Sequence, residues 1–101
     1  HRGSRLTRIF TTTELACAKD NAATLAGNFA VKEAVSKVFG TGFFGVEPYE
    51  IEVLRNESGA PYVKLYGKAK EIAKDKQVSR IHVSITNTRE FAQAFAIGEC
   101  V

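Results

Sequence analysis

Apolar residues recur with a helical period up to Gly40 and with a two-residue period after it. Thr11 and Glu14 have the spacing of a capping box, which predicts the start of a short helix. Asn21 predicts the cap of a longer helix that runs to about Phe39, where Gly40 supplies a left-handed end. Because this longer helix is apolar around most of its circumference, we expect it to be largely buried.

The rest of the chain predicts two antiparallel hairpins with a short helix between them. The first hairpin is expected to have strands at 50–55 and 61–66, joined by a turn at 56–59. A short helix at 67–76 and two final strands at 80–86 and 91–97 are expected to follow. In the last strand Phe91, Phe95 and Ile97 share one face and alanines share the other, a pattern typical of a strand covered on both sides. We therefore expect a single α+β domain over residues 1–101, with long helices packed on antiparallel hairpins.

Composition supports a globular domain. Hydrophobic residues make up 45% of the chain and charged residues 25%, a balance typical of soluble folded proteins. No apolar run approaches the roughly 20 residues needed to span a bilayer, so no membrane partner is expected. Cys17 and Cys100 have no neighbouring histidines that would indicate a zinc site, and free thiols in a cytoplasmic protein are the simplest interpretation.

The net charge of +3 is a mild excess. Arg2, Arg5 and Arg8 crowd the beginning, where they could steer an acidic partner, although a solvated surface explains the charge equally well. A small basic nucleic-acid binder is one hypothesis. We disfavour it, and expect no nucleic acid, because no stacking aromatic residues interleave with the basic ones.

Lys32, Glu33 and Lys37 are charged residues inside the otherwise apolar helix. Charges in a buried helix must be paired, bind a ligand or lie at its rim. Spacing alone favours an ordinary i,i+4 pair of Glu33 and Lys37 on an exposed strip. Ser36 and Lys32 lie nearer the apolar side, where the same question applies.

A longer motif surrounds these charges. From Phe29 to Gly42 the chain reads Phe-Ala-Val-Lys-Glu-Ala-Val-Ser-Lys-Val-Phe-Gly-Thr-Gly. This resembles the signature of the holo-acyl-carrier-protein synthases, in which a Phe-x-x-Lys-Glu-Ala core precedes a lysine four residues after the glutamate and a Gly-Thr-Gly. Other parts of the family pattern occur in order over essentially the whole chain, at 8–11, 14–15, 51–53, 59–61 and 82–86.

The resemblance implies a transferase that moves phosphopantetheine from coenzyme A to a serine of apo-acyl carrier protein, as in fatty acid biosynthesis. Magnesium would be the cofactor and adenosine 3',5'-bisphosphate the leaving product. The carrier serine would attack the β-phosphate while a metal-bound water or Glu33 takes its proton, in a displacement that relies on positioning and charge stabilisation. The family is typically a trimer with active sites between subunits, so a homotrimer is expected.

Site residues follow from the resemblance by position. Glu33 matches the magnesium-binding glutamate, and Lys37 matches the lysine at the leaving phosphate, so these two are the predicted catalytic residues. Arg5 and Arg8 match the region that docks the acidic carrier protein. The predicted coenzyme-binding residues, of which the last three would come from a neighbouring subunit, are Lys32, Ser36, Gly40, Pro61, Thr86 and Asn87.

The chain also departs from the family pattern. Family members begin with a strand of the type Gly-x-Asp-x-x-Glu, whose aspartate is the second protein ligand of magnesium, and nothing before Arg5 resembles it. The domain is therefore expected to be N-terminally incomplete. Asn28 stands where arginine is usual, and Asn87 where histidine is common. These departures motivate an alternative function, a non-catalytic module that binds coenzyme A or a carrier protein.

Overall fold

The computed structural model describes residues 6–19, 21–88 and 90–100. Single 3-10 turns at Gly42–Phe44 and Pro48–Glu50 lead from the long helix into the first strand. No helix in the described ranges combines the length and the apolar character that a membrane crossing requires. In chain order the elements are α1 (Thr12–Ala18), α2 (Ala22–Val38), β1 (Ile51–Arg55), β2 (Pro61–Leu65), α3 (Gly67–Asp75), β3 (Val78–Asn87) and β4 (Ala92–Cys100).

Helices α1 and α2 begin where the sequence predicts. The Thr11 hydroxyl accepts a hydrogen bond from the Glu14 N–H at 3.1 Å, and the Glu14 carboxylate accepts one from the Thr11 N–H at 3.0 Å. At the start of α2, Asn21 Oδ1 accepts from the Thr24 N–H at 3.1 Å. Each bond satisfies an amide that the first helical turn leaves without a partner. The predicted capping box and the predicted cap are both confirmed.

The described strands form two separate antiparallel hairpins, β1–β2 and β3–β4. Val53 lies opposite Val63 in the first hairpin, and Val83 lies opposite Ala96 in the second. The predicted α+β class, with helices packed on antiparallel hairpins, is confirmed.

The hydrophobic core lies where α2 meets both hairpins. Helix α2 packs closely against β3–β4 because two glycines leave room for it. A Cβ atom at Gly98 would lie 2.8 Å from Val38 Cγ1, and one at Gly27 would lie 3.2 Å from Ile85 Cγ2. The buried core residues are Val31, Val35, Phe39, Val46, Ile51, Val53, Ala69 and Ala73.

The buried face of α2 differs from the expectation of burial around most of the helix. Burial is confined to a stripe, whereas Glu33 and Lys37 are exposed and Ala34 is partly exposed. The buried residues of α2 are not all apolar, so polar side chains also lie in the interior. The buried residues of the helix are Gly27, Asn28, Val31, Lys32, Val35 and Ser36.

Strand β4 also differs from the expectation. Its alanines are half-buried, but Phe91, Phe95 and Ile97 are 66%, 69% and 66% exposed. Within one chain the strand is therefore covered on one face only. A row of large apolar side chains at the surface is typical of an area that contacts another molecule.

Candidate functional site

A groove between α2 and β4 brings the two predicted catalytic side chains together. Glu33 and Lys37 lie one helical turn apart, both exposed, on a groove of about 400 Å³. Small side chains along both walls leave the two charged groups open to a ligand. The residues that line this groove, called the seam below, are Ala30, Glu33, Ala34, Lys37, Ala92, Gln93, Ala94 and Phe95.

The carboxylate and the ammonium of the seam do not pair with each other. Among the described residues, the ion pairs lie elsewhere, between Lys32 and Glu14 and between strands β3 and β4. The i,i+4 pair that spacing favoured for Glu33 and Lys37 is therefore not formed. An unpaired carboxylate suits a hard cation and an unpaired ammonium suits a phosphate, so both side chains are available for those ligands.

A smaller cavity of about 110 Å³ continues the seam towards the start of α2. Asn87 lines this cavity, and Ala92 lines both the cavity and the seam. Thr86 is exposed and lies opposite Gln93, a seam residue, in the β3–β4 ladder. The structure thus places the predicted coenzyme residues Thr86 and Asn87 beside the seam of the same chain.

The sequence analysis did not single out Gln93. Its amide lies on the seam with Glu33 and Lys37 and can donate to a phosphate oxygen. The available signal was a polar residue between Phe91 and Phe95, in a row that is otherwise apolar. That signal indicates an unusual position but not the groove on which the residue lies.

Lys32 lies on the other side of α2, in the interior. It has no exposed surface. Its ammonium donates to Glu14 Oε1 at 2.7 Å, to the Ile51 carbonyl at 2.5 Å and to the Pro48 carbonyl at 3.0 Å. Burial lowers the pKa of Lys32, and the adjacent Glu14 carboxylate opposes that shift. Because an ammonium group has three N–H donors, the chain itself uses all of them.

The prediction that Lys32 and Ser36 bind coenzyme A does not fit this geometry. Lys32 has no free donor, and Ser36 is 2% exposed with its hydroxyl bonded to the Glu33 carbonyl at 2.7 Å. Lys32 and Ser36 are one helical turn apart, as are Glu33 and Lys37. The two pairs are offset by one residue, about 100° around the helix axis. The structure therefore separates two sets of residues that the sequence places side by side.

The Lys32–Glu14 pair belongs to a cluster of polar side chains that extends from the interior to the exposed Tyr66, defined here as Thr11, Glu14, Lys32, Glu52 and Tyr66. Glu14 and Glu52 are 1% and 6% exposed. Glu52 accepts from the Thr11 hydroxyl at 2.6 Å and from the Tyr66 hydroxyl at 2.9 Å. The bond to Glu52 raises the pKa of Tyr66. Each carboxylate of the cluster is thus satisfied by donors from other parts of the chain.

The remaining predicted site residues lie away from the seam. Gly40 has a φ of +76°, and a Cβ there would meet no atom within 4 Å, so its left-handed backbone rather than close approach explains the glycine. Pro61 starts β2 opposite Arg55 and does not line the seam. Arg8 is exposed, and the prediction for Arg5 lies outside the described residues.

Glu33 can hold a magnesium ion only together with other ligands. It is the one carboxylate that lines the seam, and in the described part of the chain no three His, Cys, Asp or Glu side chains come together as a metal-binding group. Magnesium commonly takes one or two protein carboxylates and completes its shell with substrate phosphates and waters. An exposed carboxylate beside an open groove fits that mode of binding.

Comparison with known proteins identifies the family. The family model of the 4'-phosphopantetheinyl transferase superfamily matches residues 1–98. The holo-[acyl-carrier-protein] synthase of Lachnoclostridium phytofermentans is 53% identical over 100 residues, which are 99% of this chain and 82% of that protein. The synthase of Halothermothrix orenii is 47% identical over 75 residues, 74% of this chain and 60% of that protein.

A solved structure agrees with these relatives. The Helicobacter pylori holo-[acyl-carrier-protein] synthase in complex with coenzyme A has a TM-score of 0.85 and 27% identity, covering 95% of this chain and 82% of that one. The resemblance that the motif from Phe29 to Gly42 indicated is confirmed. The chain belongs to the 4'-phosphopantetheinyl transferase superfamily and, within it, to the holo-[acyl-carrier-protein] synthases.

Proposed function

We propose that this chain transfers the phosphopantetheine group of coenzyme A to a serine of apo-acyl carrier protein and releases adenosine 3',5'-bisphosphate. The observation that carries the proposal is the exposed, unpaired Glu33 and Lys37 one turn apart on the seam. The names of the relatives and the coenzyme A in the Helicobacter pylori structure support it.

Lys37 is proposed to act on the diphosphate of coenzyme A. Its ammonium is a compact charge suited to phosphate oxygens. The departing adenosine bisphosphate gains negative charge as the phosphorus–oxygen bond breaks, so a fixed positive charge stabilises the transition state more than the ground state. The Gln93 amide is proposed to donate to the same phosphates. Thr86 and Asn87 are proposed to contact the coenzyme next to the seam.

Glu33 is proposed to help hold magnesium. Magnesium, when bound, would neutralise diphosphate charge and make the phosphorus more electrophilic. The Glu33 carboxylate is also proposed to accept the hydroxyl proton of the carrier serine as the serine oxygen attacks the phosphorus. Since both roles use groups that are already exposed on the seam, binding and chemistry require no change in the core.

A homotrimer with the site between subunits is also proposed. Phe91, Phe95 and Ile97 form an exposed apolar row, and Phe95 lines the seam. A second subunit that covers this row would therefore also form a wall of the coenzyme site. Pro61 of that second subunit is proposed to contribute to the wall. Arg8 is exposed and is proposed to dock the acidic carrier protein, in the cytoplasm.

A non-catalytic module that binds coenzyme A or a carrier protein is the second candidate. The observation in its favour is the single carboxylate on the seam. Glu33 gives magnesium one carboxylate from the seam. Coenzyme A can therefore bind through Lys37 without the arrangement of metal ligands that transfer needs.

Intact-mass spectrometry of an apo-carrier protein incubated with the chain, coenzyme A and magnesium tests the proposal. We expect a mass gain of one phosphopantetheine, and Glu33→Gln should lower its rate by about 10²–10³-fold because the proposed magnesium ligand and proton acceptor is lost. Glu71→Gln, an exposed carboxylate on α3, is the matched control and should retain the wild-type rate.

Calorimetric titration with coenzyme A separates the two candidates. Coenzyme binding without any mass gain, even at high magnesium, would favour the non-catalytic module. Neither coenzyme binding nor mass gain would contradict the transferase and the coenzyme-binding form of the module, and a titration with the apo-carrier protein then tests the carrier-binding form.

A further inference from the structure

The outer edge of β1 is covered by side chains. On the β2 side the Tyr66 N–H donates to the Glu50 carbonyl at 2.9 Å. Because neighbouring residues of a strand direct their backbone groups to opposite sides, Ile51 and Val53 direct theirs away from β2. In the described part of the chain β1 pairs with β2 alone, so this outer edge has no strand partner.

Lys32 and Glu14 occupy that edge together. The Lys32 ammonium donates to the Ile51 carbonyl at 2.5 Å, and Glu14 Oε2 accepts from the Val53 N–H at 3.2 Å. The two side chains meet each other at 2.7 Å. One donor and one acceptor therefore take the place that the backbone of a neighbouring strand would fill.

These contacts fix α2 from three directions. Lys32 joins the helix to α1 through Glu14, to β1 through Ile51 and to the intervening turn through Pro48. A rotation of α2 would strain or break these bonds, because the acceptors lie on different elements. Glu33 follows about 100° further around the helix, so the same bonds set the direction in which Glu33 faces β4.

Stability alone gives little reason for such a pair. Buried ion pairs lose solvation on folding, and apolar replacements of both partners are often neutral or stabilising. A buried pair is better explained where it selects one arrangement of elements. Here the selected arrangement is the rotation of the helix that carries Glu33 and Lys37.

We propose that Lys32 and Glu14 are a positioning pair for the transfer reaction, which holds α2 against the edge of β1 and thereby places Glu33 and Lys37 on the seam without touching coenzyme A. The inference rests on the proposed function of the seam. Partners that orient metal ligands typically change metal affinity or activity by about 10–100-fold when they are mutated.

Calorimetry with coenzyme A and magnesium tests the positioning pair in the full chain. Lys32→Met should weaken coenzyme binding and raise the magnesium requirement by about 10–100-fold, because α2 loses the three bonds that orient it. The double variant Glu14→Gln/Lys32→Met removes both buried charges, so it should recover stability but not coenzyme affinity, because the same three bonds are missing. Lys74→Met, an exposed lysine on α3, should behave like wild type.

Three results would overturn the inference. A double variant that folds and binds coenzyme A like wild type would show that the pair is not needed to place Glu33 and Lys37. A Lys32→Met protein with a lowered melting temperature but wild-type affinity would give the pair a role in stability only. If Lys32→Met does not fold, the double variant decides, and wild-type coenzyme binding in its folded form would again contradict positioning.

Amide spectra without ligand separate this inference from the proposed function. Residues 92–95 of β4 lie across the seam from α2, so their amide resonances should shift in Lys32→Met if the helix moves, and stay in place in Lys74→Met. Shifts at 92–95 in a protein whose wild type binds no coenzyme A would contradict the proposed function alone. Coenzyme binding without those shifts would contradict the positioning role alone.

Discussion

The two sides of α2 use the same residue type in opposite ways. Lys32 is fully buried and donates to three acceptors of its own chain. Lys37 is exposed on the seam and, among the described residues, forms no ion pair. The motif that contains both lysines therefore does not have one function. Lys32 bonds to other parts of the chain, whereas Lys37 is available to a ligand.

The energetic consequences of the two positions also differ. Removing one partner of a buried pair leaves the other charge without solvent, which is strongly destabilising. An exposed lysine contributes little to folding, because water solvates it in both the folded and the unfolded state. Substitutions of Lys32 should therefore change mainly the free energy of unfolding. Substitutions of Lys37 should change the rate of transfer and leave the fold unaltered.

The largest expected effect is on the free energy of unfolding. Lys32→Met should lower it by about 3–5 kcal/mol, because Glu14 stays buried and uncompensated. Lys37→Met should change it by no more than about 0.5 kcal/mol. Urea unfolding followed by circular dichroism measures both, and equal losses in the two variants would remove the contrast between the faces.

The next effect is on turnover. Lys37→Met should lower kcat for phosphopantetheine transfer by about 10²-fold, with a smaller change in KM for coenzyme A, since the charge is needed most as the leaving group departs. Lys37→Arg should restore part of the rate. Steady-state assays by intact mass provide the measurement, and Lys74→Met the control. A change in KM alone would limit Lys37 to binding.

A third effect concerns assembly. If the exposed row of β4 is a subunit contact, Phe95→Ser should weaken self-association by about 1.5–3 kcal/mol, the usual gain from burying one large apolar side chain. Tyr49→Ser, at an aromatic residue that is 45% exposed elsewhere, should leave association unchanged. Sedimentation velocity over a concentration series distinguishes them. A wild-type chain that stays monomeric would contradict the trimer.

The smallest effect is a pH dependence of the folding stability, which comes from Tyr66. Hydrogen bonding to Glu52 raises the pKa of Tyr66, so the folded state favours the protonated phenol. The resulting stability is complete below the ordinary tyrosine pKa of about 10 and is lost as the pH rises through the raised value. Titration of tyrosinate absorbance should show one late-titrating group that Tyr66→Phe removes and Glu52→Gln shifts back. Tyr49→Phe should leave it unchanged.

Local sequence features predicted much of the fold. The capping box of Thr11 and Glu14 and the cap at Asn21 depend on residues a few positions apart, so spacing determines them. The strands follow from alternation in the same way. Family resemblance, rather than periodicity, singled out Glu33 and Lys37, and the structure then showed that both face one groove.

The burial of Lys32 could not be predicted locally. Its carboxylate partner lies 18 positions earlier, and its carbonyl acceptors at Pro48 and Ile51 belong to later elements. A lysine in an apolar helix gives no sign of which distant groups will meet it. The position of Gln93 on the same groove as Glu33 depends in the same way on how β4 packs against α2.

The covered edge of β1 also bears on how the protein avoids self-assembly into fibrils. An open strand edge offers unpaired N–H and C=O groups on which a strand of another molecule can add, and native proteins block such edges with charged side chains or covering elements. Lys32 and Glu14 serve that purpose at Ile51 and Val53. A variant that loses the pair would therefore expose a strand edge on which another molecule can add a strand. The same variant would also lose the bonds that orient α2.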